Sequence, residues 1–440
     1  MASGDRPTFG DSATSSHPEV QAQLDRLLAL GMGGDVLGLD RVSELCARLG
    51  NPQDRLPPVF HVAGTNGKGS TIAFLRAALE AGGSKVHVFT SPHLVRFNER
   101  IRLAGKLIDD DALATLLEEV IDAADGMKVS FFEATTAAAF LAFSRTPADA
   151  CLVEVGLGGR LDATNIVSPV VTGIAALGMD HMHFLGDNLA AIAGEKAGIA
   201  KPGVPMVTMR HPAEVDATIV AHATETATPL VRKGCDWWVE ENGDGLRYRD
   251  RKGELDLPSP ALPGRHQAAN LGLATAMLRH QDAVSAYDIA AGARAARWPA
   301  RMQRLKDGPL TQGIDAPIIL DGAHNPEAAS ALAQSIDGPI VLLAGILKNR
   351  DYPAMFEAFR GKVTRFAGLP VPGHDDHDTK DLCAAANEIL GLPGSYPTGR
   401  VEQALDWLRD KPPAPGETVL VMGSLYLAGE ILWLNEELPD

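Results

Sequence analysis

Residues 61–71 (HVAGTNGKGST) join an apolar run to a glycine-rich turn that contains a single lysine. Residues 59–63 predict a buried strand, and residues 70–81 predict a helix whose amino end faces the turn. Backbone N–H groups and the positive end of a helix dipole bind anions, and glycine lets the backbone approach them closely. The segment therefore predicts a phosphate site whose nucleotide contacts are Thr65, Asn66, Gly67, Lys68, Gly69 and Ser70.

This turn departs from the general P-loop pattern. The general pattern has its first glycine five residues before the second and a serine or threonine directly after the lysine. Val62 and Gly69 occupy those two places here. A hydroxyl that faces Mg²⁺ must therefore come from Ser70 or from elsewhere in the chain. A turn that only caps a helix would explain the glycines and threonine but not Lys68, which is the expected catalytic cation.

Apolar strands alternate with amphipathic helices along the first 300 residues. Strands are predicted near 59–63, 85–90, 150–155, 170–175 and 205–209, with helices near 70–81, 110–124, 132–145, 188–199 and 213–226. Such alternation predicts a P-loop-type, mainly parallel sheet flanked by helices. The phosphate turn, Ser91 and Glu154 each follow a predicted strand, so we expect them to meet at the carboxyl edge of the sheet.

A second, smaller α/β domain of Rossmann-like type is predicted after a hinge at residues 298–301, where Pro299 interrupts the helical pattern. Residues 229–257 predict a small antiparallel excursion, and helices follow near 266–280 and 286–297. The second domain has predicted strands near 317–321, 339–345, 363–368 and 418–422. Its helices are predicted near 326–336, 352–360, 379–390, 400–410 and 424–436.

Composition limits the classes of function. Hydrophobic residues make up 45% and charged residues 22% of the 440, and the net charge is −16, which disfavours general attraction to nucleic acid. No apolar stretch approaches the roughly 20 residues that span a bilayer, and residues 1–17 lack the pattern of a signal peptide. We expect a cytoplasmic protein without nucleic-acid or membrane partners. Four well-separated cysteines predict buried or free thiols.

Three further residues carry chemistry in the sequence alone. Glu154 ends an apolar strand before three glycines, where a carboxylate can meet a cation held by phosphate, although it could instead pair with Arg160. His181, taken alone, is more often an ordinary structural histidine. Lys196 lies in an otherwise apolar helix, where partial burial would lower the pKa of its amine, although a surface or salt-bridged lysine is the alternative.

The chain resembles the folylpolyglutamate synthase and dihydrofolate synthase family, relatives of the Mur peptide ligases. The resemblance begins with GTNGKGS at residues 64–70 and recurs in order along the chain. The matching segments are residues 37–42 (LGLDRV), 91–94 (SPHL), 97–100 (FNER), 132–133 (FE), 154–165 (EVGLGGRLDATN), 180–181 (DH), 195–198 (EKAG), 266–270 (HQAAN), Arg301 and 321–326 (DGAHNP). So many ordered matches indicate common descent.

The resemblance implies roles for residues of this chain. Ser91, Glu154 and His181 would bind Mg²⁺, and Asn270, Arg301 and Asp321 would contact the nucleotide. Lys196 would be carbamylated and His324 would assist catalysis. The cofactors would be ATP, two Mg²⁺ ions and a monovalent cation. The pterin substrate would lie against Leu37, Ser130, Phe131, Phe132, Glu133, Leu161, Asp162 and Ala163. Composition alone favours Phe131 and Phe132 as core residues, whereas a carboxylate in the loop of Asp162 is not expected to serve packing.

The resemblance also implies a monomeric ATP-dependent ligase. A tail at residues 1–17 would be disordered, residues 18–298 would form a Mur-ligase-like ATP domain with the pterin site, and residues 299–440 a carboxyl-terminal ligase domain. The expected reactions join L-glutamate to dihydropteroate, to reduced folates, or to both. A monofunctional folylpolyglutamate synthase, a Mur-type peptide ligase and a P-loop switch or kinase are the alternatives.

Overall fold

The computed structural model describes residues 15–30 and 37–440. Most of the expected tail at residues 1–17 lies outside the described residues. The first described helix is α1 (Pro18–Leu30), and α2 (Asp40–Arg48) follows; neither was predicted. Val20, Leu24 and Leu27 of α1 are completely buried in the core, which explains why so short an amphipathic segment is helical.

The first sheet contains eight strands among the described residues, in the order β4-β3-β2-β5-β1-β6-β7-β8. The six strands β2, β5, β1, β6, β7 and β8 are parallel to one another, and β3 and β4 form an antiparallel edge beside β2. The bounds are β1 (Val59–Ala63), β2 (Val86–Phe89), β3 (Ile101–Leu103), β4 (Lys106–Leu107), β5 (Ala150–Glu154), β6 (Pro169–Ile174), β7 (Met206–Thr208) and β8 (Leu230–Arg232).

Helices cover both faces of the first sheet, as the alternation predicted. Central strands β1 and β5 are buried at every residue, which is why they appear in the sequence as continuous apolar runs. The helices are α3 (Lys68–Ala81), α4 (Asp110–Ala123), α5 (Phe131–Arg145), α6 (Met182–Leu185), α7 (Leu189–Ala197) and α8 (Ala213–Glu225). The predicted elements are present with bounds that differ by a few residues.

The predicted excursion is a three-stranded antiparallel sheet, β9 (Trp237–Asn242), β10 (Gly245–Asp250) and β11 (Gly253–Pro258). Trp237 and Tyr248 stack at 6.2 Å between ring centroids and are fully buried. Helices α9 (Gln267–Gln281) and α10 (Ala286–Ala295) then pack against α3. The excursion therefore fixes the helices that lie behind the phosphate turn.

The second sheet has six strands in the part of the chain that the structure describes, ordered β12-β13-β17-β14-β15-β16. Its strands are parallel apart from the edge strand β12. They are β12 (Gln303–Arg304), β13 (Ile318–Leu320), β14 (Ile340–Ala344), β15 (Val363–Gly368), β16 (Tyr396–Pro397) and β17 (Thr418–Met422). The helices are α11 (Pro326–Ser335), α12 (Tyr352–Glu357), α13 (Thr379–Leu390), α14 (Val401–Asp410) and α15 (Leu425–Leu434). This confirms the predicted second α/β unit.

The connections between the two sheets include the following pair. One is the predicted hinge, where Ala300 (φ 52°) and Met302 (φ 44°) adopt left-handed conformations that side chains disfavour. The other was not predicted: Leu94 and Val95, from the loop after β2, are buried in the hydrophobic core beside the second sheet. The loop that carries Ser91 is therefore packed against both units.

Candidate active site

A cavity of about 540 Å³ opens where the carboxyl ends of β1, β2 and β5 face the second sheet. Its lining brings together most of the predicted site residues from both halves of the chain. These are Leu37, Thr65, Asn66, Lys68, Ser91, Ser130, Phe131, Phe132, Glu133, Glu154, Leu161, Asp162, Ala163, His181, Lys196, Arg301 and His324. The expectation that the phosphate turn, Ser91 and Glu154 converge is confirmed.

The phosphate turn (residues 64–70) has the geometry that its glycines predict. Gly67 caps α3 with φ 87°, and a Cβ atom there would lie 2.5 Å from Asn270 Oδ1. A Cβ atom on Gly69 would lie 2.6 Å from the Trp298 ring. The left-handed backbone at position 67 therefore favours glycine, and a side chain at position 69 would meet the Trp298 ring. Lys68 begins the helix, and its Nζ donates a hydrogen bond to Gly64 O at 3.0 Å.

Some groups of the turn are engaged in other contacts. The backbone N–H groups of Thr65 and Asn66 both donate to Ala176 O, at 2.9 and 3.0 Å. The Asn66 amide exchanges hydrogen bonds of 3.1 and 3.2 Å with the Asn325 amide of the second unit. These contacts tie the turn to the loop after β6 and to the start of α11.

Five predicted nucleotide contacts do not line the cavity: Gly67, Gly69, Ser70, Asn270 and Asp321. The Ser70 side chain points to α9, where its hydroxyl accepts a hydrogen bond from Gln267 Nε2 at 3.2 Å. Asn270 donates to Gln267 Oε1 at 2.9 Å, so both residues support the turn from behind. Because Ser91 does line the cavity, the hydroxyl expected near Mg²⁺ is better placed there than on Ser70.

Glu154 and Lys68 form a buried pair of opposite charges. Their side chains are 7% and 16% exposed, and Lys68 Nζ lies 4.0 Å from Glu154 Oε1. Burial raises the pKa of Glu154 to about 7, although the charges of Lys68 and Arg301 and a hydrogen bond from the Ser91 backbone oppose the shift. The carboxylate is therefore only partly compensated, and an added cation would stabilise it. The alternative partner Arg160 instead pairs with Glu195 at 2.7 Å.

Lys196 lies in the last turn of α7 and is 5% exposed. Burial, with a smaller effect from the Lys68 charge, lowers its pKa to about 7. Gly159 makes this position possible, because a Cβ atom there would lie 2.9 Å from the Lys196 carbonyl oxygen. The amine is thus substantially neutral at neutral pH, and the surface-lysine alternative does not apply.

Four residues form what we call the cross-sheet cluster: Asp180, His181, His324 and Arg350. Arg350 donates to the Asp180 carboxylate, which also lies 3.6 Å from His324 Nε2 and 3.7 Å from His181 Nε2. Burial alone would raise the pKa of Asp180, but His324, His181 and Arg350 hold it well below its usual value. Burial lowers the pKa of His181 to about 4. The cluster joins the two units across the cavity.

The His324 ring has a defined orientation. Its Nδ1 lies 2.8 Å from Gly322 O, and because a carbonyl oxygen only accepts, Nδ1 carries a proton. Nε2 consequently faces Asp180. The hydrogen bond at Nδ1 therefore fixes the orientation of the ring.

The apolar half of the cavity contains Leu37, Phe131, Phe132, Leu161 and Ala163. Phe132 closes against Gly156, where a Cβ atom would lie 2.4 Å from the ring. Both phenylalanines also pack against the core, as composition favoured, so each serves the core and the cavity. These side chains make an apolar, half-buried lining suited to an aromatic heterocycle.

Ser130 and Glu133 have a structural role that the SFFE pattern at residues 130–133 is typical of. They form a capping box at the start of α5, with hydrogen bonds of 3.2 Å to Glu133 N and 2.7 Å to Ser130 N. The Glu133 carboxylate also pairs with Arg41 at 3.0 Å. Both residues line the cavity, but these bonds already hold their polar groups.

Asp162 is 3% exposed and its carboxylate accepts several local hydrogen bonds. Oδ1 accepts from Thr164 N at 3.0 Å and from the Thr164 hydroxyl, and Oδ2 accepts from Leu157 N at 2.8 Å. These hydrogen bonds hold the glycine-rich loop in shape, so Asp162 has a local structural role in addition to its place in the cavity lining. Burial raises the pKa of Asp162, and these hydrogen bonds oppose the shift.

The hinge contributes two predicted residues in different ways. Arg301 lines the cavity, where its charge acts on Glu154. Asp321 lies behind it, and its carboxylate accepts from Met302 N and Ala323 N, both at 2.8 Å. Asp321 therefore holds the hinge in place.

Sequence reasoning missed Arg350, Arg100 and Tyr426, all of which line the cavity. Arg350 follows β14 in a polar segment at the carboxyl edge of the second sheet, a position that was available as a signal. Arg100 is 1% exposed and its Nε donates to His93 Nδ1 at 2.8 Å. Hydrophobic periodicity in the sequence could not have predicted that the charged side chain of Arg100 is buried beside aromatic rings.

Two negative findings apply to residues 15–30 and 37–440. No group of three or more histidine, cysteine, aspartate or glutamate side chains is arranged to hold a metal ion by itself. A cation at Glu154 would thus need oxygen ligands from a hydroxyl or from a bound phosphate. Within the same residues, no helix combines the length and apolar character needed to cross a membrane.

Comparison with known proteins agrees with this architecture. Residues 300–425 match the family described as Mur ligase, glutamate ligase domain. Over 413 residues the chain is 34% identical to folylpolyglutamate synthase of Lacticaseibacillus casei, covering 89% of this chain and 92% of that protein. The structure of Escherichia coli FolC in complex with DHPP and ADP has a TM-score of 0.84 and 32% identity, covering 96% of this chain and 98% of that one.

A structure of a bifunctional folylpolyglutamate synthase/dihydrofolate synthase with Mn, AMPPNP and L-glutamate bound has a TM-score of 0.82 and 30% identity, covering 96% of this chain and 99% of that one. Fold, phosphate turn and carboxyl-terminal match define the class as an ATP-dependent ligase of the Mur type. The chain belongs to the folylpolyglutamate synthase family, which confirms the resemblance seen in its motifs.

Proposed function

We propose that this enzyme joins L-glutamate to the carboxylate of a pterin substrate, with dihydropteroate and reduced folates both as acceptors. The observation that carries the proposal is the composition of one cavity, which is lined by Lys68 and Glu154 and also by the aromatic side chains of Phe131 and Phe132. A phosphate-binding cation next to an aromatic-binding surface suits phosphorylation of an acid attached to a heterocycle. Relatives with bound ADP, AMPPNP, Mn and L-glutamate support ATP and a divalent metal as its cofactors.

Catalysis on this scaffold is a matter of position and charge. The acceptor carboxylate attacks the γ-phosphate of ATP, the bond to the bridging oxygen breaks, and ADP leaves as the acyl phosphate forms. Lys68 neutralises charge on the transferring group. Arg301 reaches the same region from the hinge. The amine of L-glutamate then attacks the acyl phosphate, which releases phosphate and forms the amide. A shared cavity between the units excludes water from the acyl phosphate.

The residues around Glu154 fit a divalent cation. Glu154 is under-compensated, Ser91 and His181 line the same cavity, and phosphate oxygens of ATP would supply further ligands. When bound, Mg²⁺ neutralises charge on the phosphates that move. We propose Ser91, Glu154 and His181 as the protein ligands, with a second Mg²⁺ ion and a monovalent cation as further ions.

We propose that Lys196 is carbamylated. Carbamylation needs a neutral amine, and burial provides one because it lowers the pKa of Lys196 to about 7. Protein incubated with ¹³C-bicarbonate should show a carbamate carbon resonance that disappears in Lys196→Arg. The matched control is Lys201→Arg, which should keep the resonance. An unchanged spectrum after Lys196→Arg would exclude the modification at this residue.

The cross-sheet cluster supports a place for L-glutamate. Arg350 lies in the cavity with a side chain that is 15% exposed, and a guanidinium binds carboxylates with two parallel hydrogen bonds. We assign Arg350 to a carboxylate of the incoming amino acid, with His324 orienting the amine. Arg350 would then exchange its contact with Asp180 for one with substrate.

Two regions are proposed as domains: residues 18–298 with the ATP and pterin sites, and residues 299–440 as the ligase domain. The first sheet and the second sheet fall on either side of this boundary. Separate expression of the two regions, with circular dichroism of each, would test this boundary. We also propose a cytoplasmic monomer, which size-exclusion chromatography with light scattering and cell fractionation would test.

The deciding experiment measures ADP release and product mass with MgATP and L-glutamate. Dihydropteroate is the acceptor in one reaction and tetrahydrofolate in another. A glutamate-dependent mass gain with both acceptors supports the bifunctional ligase, and a gain with one supports a monofunctional form. ADP release that ignores glutamate and both acceptors would overturn the proposal and favour a Mur-type ligase, a switch or a kinase.

A further inference from the structure

A buried series of hydrogen bonds runs from the centre of the first sheet to the loop of Asp162, and we call its three side chains (His61, Thr164 and Asp162) the relay. His61, in the middle of β1, is completely buried, and its Nε2 lies 2.9 Å from Thr164 Oγ1. The Thr164 hydroxyl in turn donates to Asp162 Oδ1. Three side chains from two segments more than 100 residues apart are thus linked in series.

The direction of each bond is fixed by the number of protons available. A threonine hydroxyl has one proton, and Thr164 donates it to Asp162 Oδ1. His61 Nε2 must therefore be the donor to Thr164. Burial, with a smaller effect from Lys201, lowers the pKa of His61 to about 3, so its ring is neutral and Nδ1 keeps a lone pair. That Nδ1 is buried and has no hydrogen-bond partner among the described residues.

The hydrogen bonds of the relay oppose the rise in pKa that burial causes at Asp162. An isolated buried carboxyl group tends to take up a proton, because burial disfavours the charged form. Here the Thr164 hydroxyl and N–H point at Oδ1, and Leu157 N–H points at Oδ2. Donors on both oxygens favour the ionised carboxylate. An ionised carboxylate accepts hydrogen bonds and cannot donate one.

We propose that His61 and Thr164 are positioning residues that keep Asp162 ionised and oriented toward the hydrogen-bond donors of the substrate heterocycle. The inference rests on the proposed function, because it needs Asp162 to meet a pterin edge that carries amino and amide N–H groups. Asp162 lines the cavity, whereas His61 and Thr164 lie behind it and act through Asp162. Recognition of the pterin edge would thus depend on His61, although the substrate does not contact that residue.

The main test removes the hydroxyl without a change of volume. Thr164→Val deletes both the acceptor for His61 and the donor to Asp162, while Thr164→Ser keeps the hydroxyl. We expect Thr164→Val to raise the KM for dihydropteroate at least about tenfold, since hydrogen bonds to charged groups are among the stronger ones. The KM for ATP should change less than about twofold, because the phosphate turn makes no contact with the relay. Thr164→Ser should stay within about threefold of wild type.

A second pair of variants tests the histidine. His61→Gln can place an amide donor near the position of Nε2, whereas His61→Leu cannot. We expect His61→Leu, but not His61→Gln, to weaken dihydropteroate use selectively. Thermal unfolding of each variant measures the structural contribution separately. If Thr164→Val and His61→Leu raise both KM values equally, or lower only the melting temperature, the relay is structural and the inference is wrong.

Binding without turnover separates this inference from the proposed function. Calorimetry with pteroate and with ADP is carried out on wild type and on Thr164→Val. Loss of pteroate binding alone supports the relay even if turnover with dihydropteroate is absent. Wild type that binds no pteroate overturns both the pterin proposal and the relay, whereas equal pteroate affinity in both proteins overturns the relay alone.

Discussion

The two walls of the cavity hold their charged groups in different ways. On the wall of the first sheet, Lys68, Glu154 and Lys196 are held by a helix start, a strand end and a helix end, and all are largely buried. On the wall of the second sheet, His324 and Arg350 reach their partner Asp180 only across the cavity. The first wall is therefore preorganised by local structure, whereas the second depends on how the two units meet.

This difference suggests that the two walls serve different steps of the reaction. Groups that stabilise the transferring phosphate must be in place before reaction, because preorganised charge contributes most to electrostatic catalysis. Groups that admit an amino acid and close over it can exchange partners. We therefore expect substitutions on the first wall to lower kcat, and substitutions on the second wall to act mainly on substrate affinity.

The largest effect should come from Lys68→Ala, which removes the buried charge of the phosphate turn. We expect kcat to fall by about a thousandfold or more, because no other group of the turn can replace that charge. Steady-state ADP release measures it. Lys106→Ala, an exposed lysine at the edge of the first sheet, is the matched control and should retain activity. Retained turnover in Lys68→Ala would contradict the preorganised wall.

Arg350→Ala tests the second wall. We expect the KM for L-glutamate to rise by about tenfold to a hundredfold, with a smaller change in kcat, because a charge-assisted pair is lost. Arg350→Lys should recover part of the affinity. Lys348→Ala, an exposed neighbour, is the control. A fall in kcat alone would place Arg350 with the first wall and break the comparison.

Leu94→Ala tests the connection between the walls. This side chain is 7% exposed in the core beside the second sheet, so its loss should lower the free energy of unfolding by about 2–3 kcal/mol. Urea denaturation measures it. Val220→Ala, at 36% exposure on α8, should cost less than about 1 kcal/mol. Equal losses of unfolding free energy in the two variants would show that packing of Leu94 beside the second sheet does not stabilise the protein.

The last prediction concerns the acid stability of the first sheet, where the expected effect is small for each pH unit. The pKa of His61 is lowered to about 3 from an ordinary value of 6.5, so the unfolded chain binds a proton there that the folded chain does not. Stability from this group is therefore present above pH 6.5 and is lost as the pH falls toward 3, by at most about 1.4 kcal/mol per pH unit.

Glu154 contributes with the opposite sign, because its raised pKa makes the folded state bind the extra proton between its ordinary value and about 7. Only the difference between wild type and His61→Gln therefore isolates the histidine. Urea denaturation at several pH values should show a flatter acid slope in the variant. A slope as steep as that of wild type would show that His61 is not the group concerned.

Sequence determined the elements and the family. Continuous apolar runs such as β1 and β5 are strands buried on both faces, and that burial is what makes their pattern visible. The phosphate turn could also be recognised from its glycines. The positive φ at Gly67 and the close contacts at Gly69 explain why glycine occupies those positions. The convergence of Lys68, Ser91 and Glu154 followed because parallel strands end at one edge of a sheet.

Tertiary structure decided what each polar group bonds to. Asp162, Glu133 and Ser70 were expected to face ligands, but they also hold a loop, cap a helix and support the phosphate turn. The pairing of Asp180 with Arg350, and the insertion of Leu94 into the second core, join residues far apart in sequence. Local periodicity records which face of an element is buried, whereas partners across a cavity depend on the packing of whole units, which no single segment encodes.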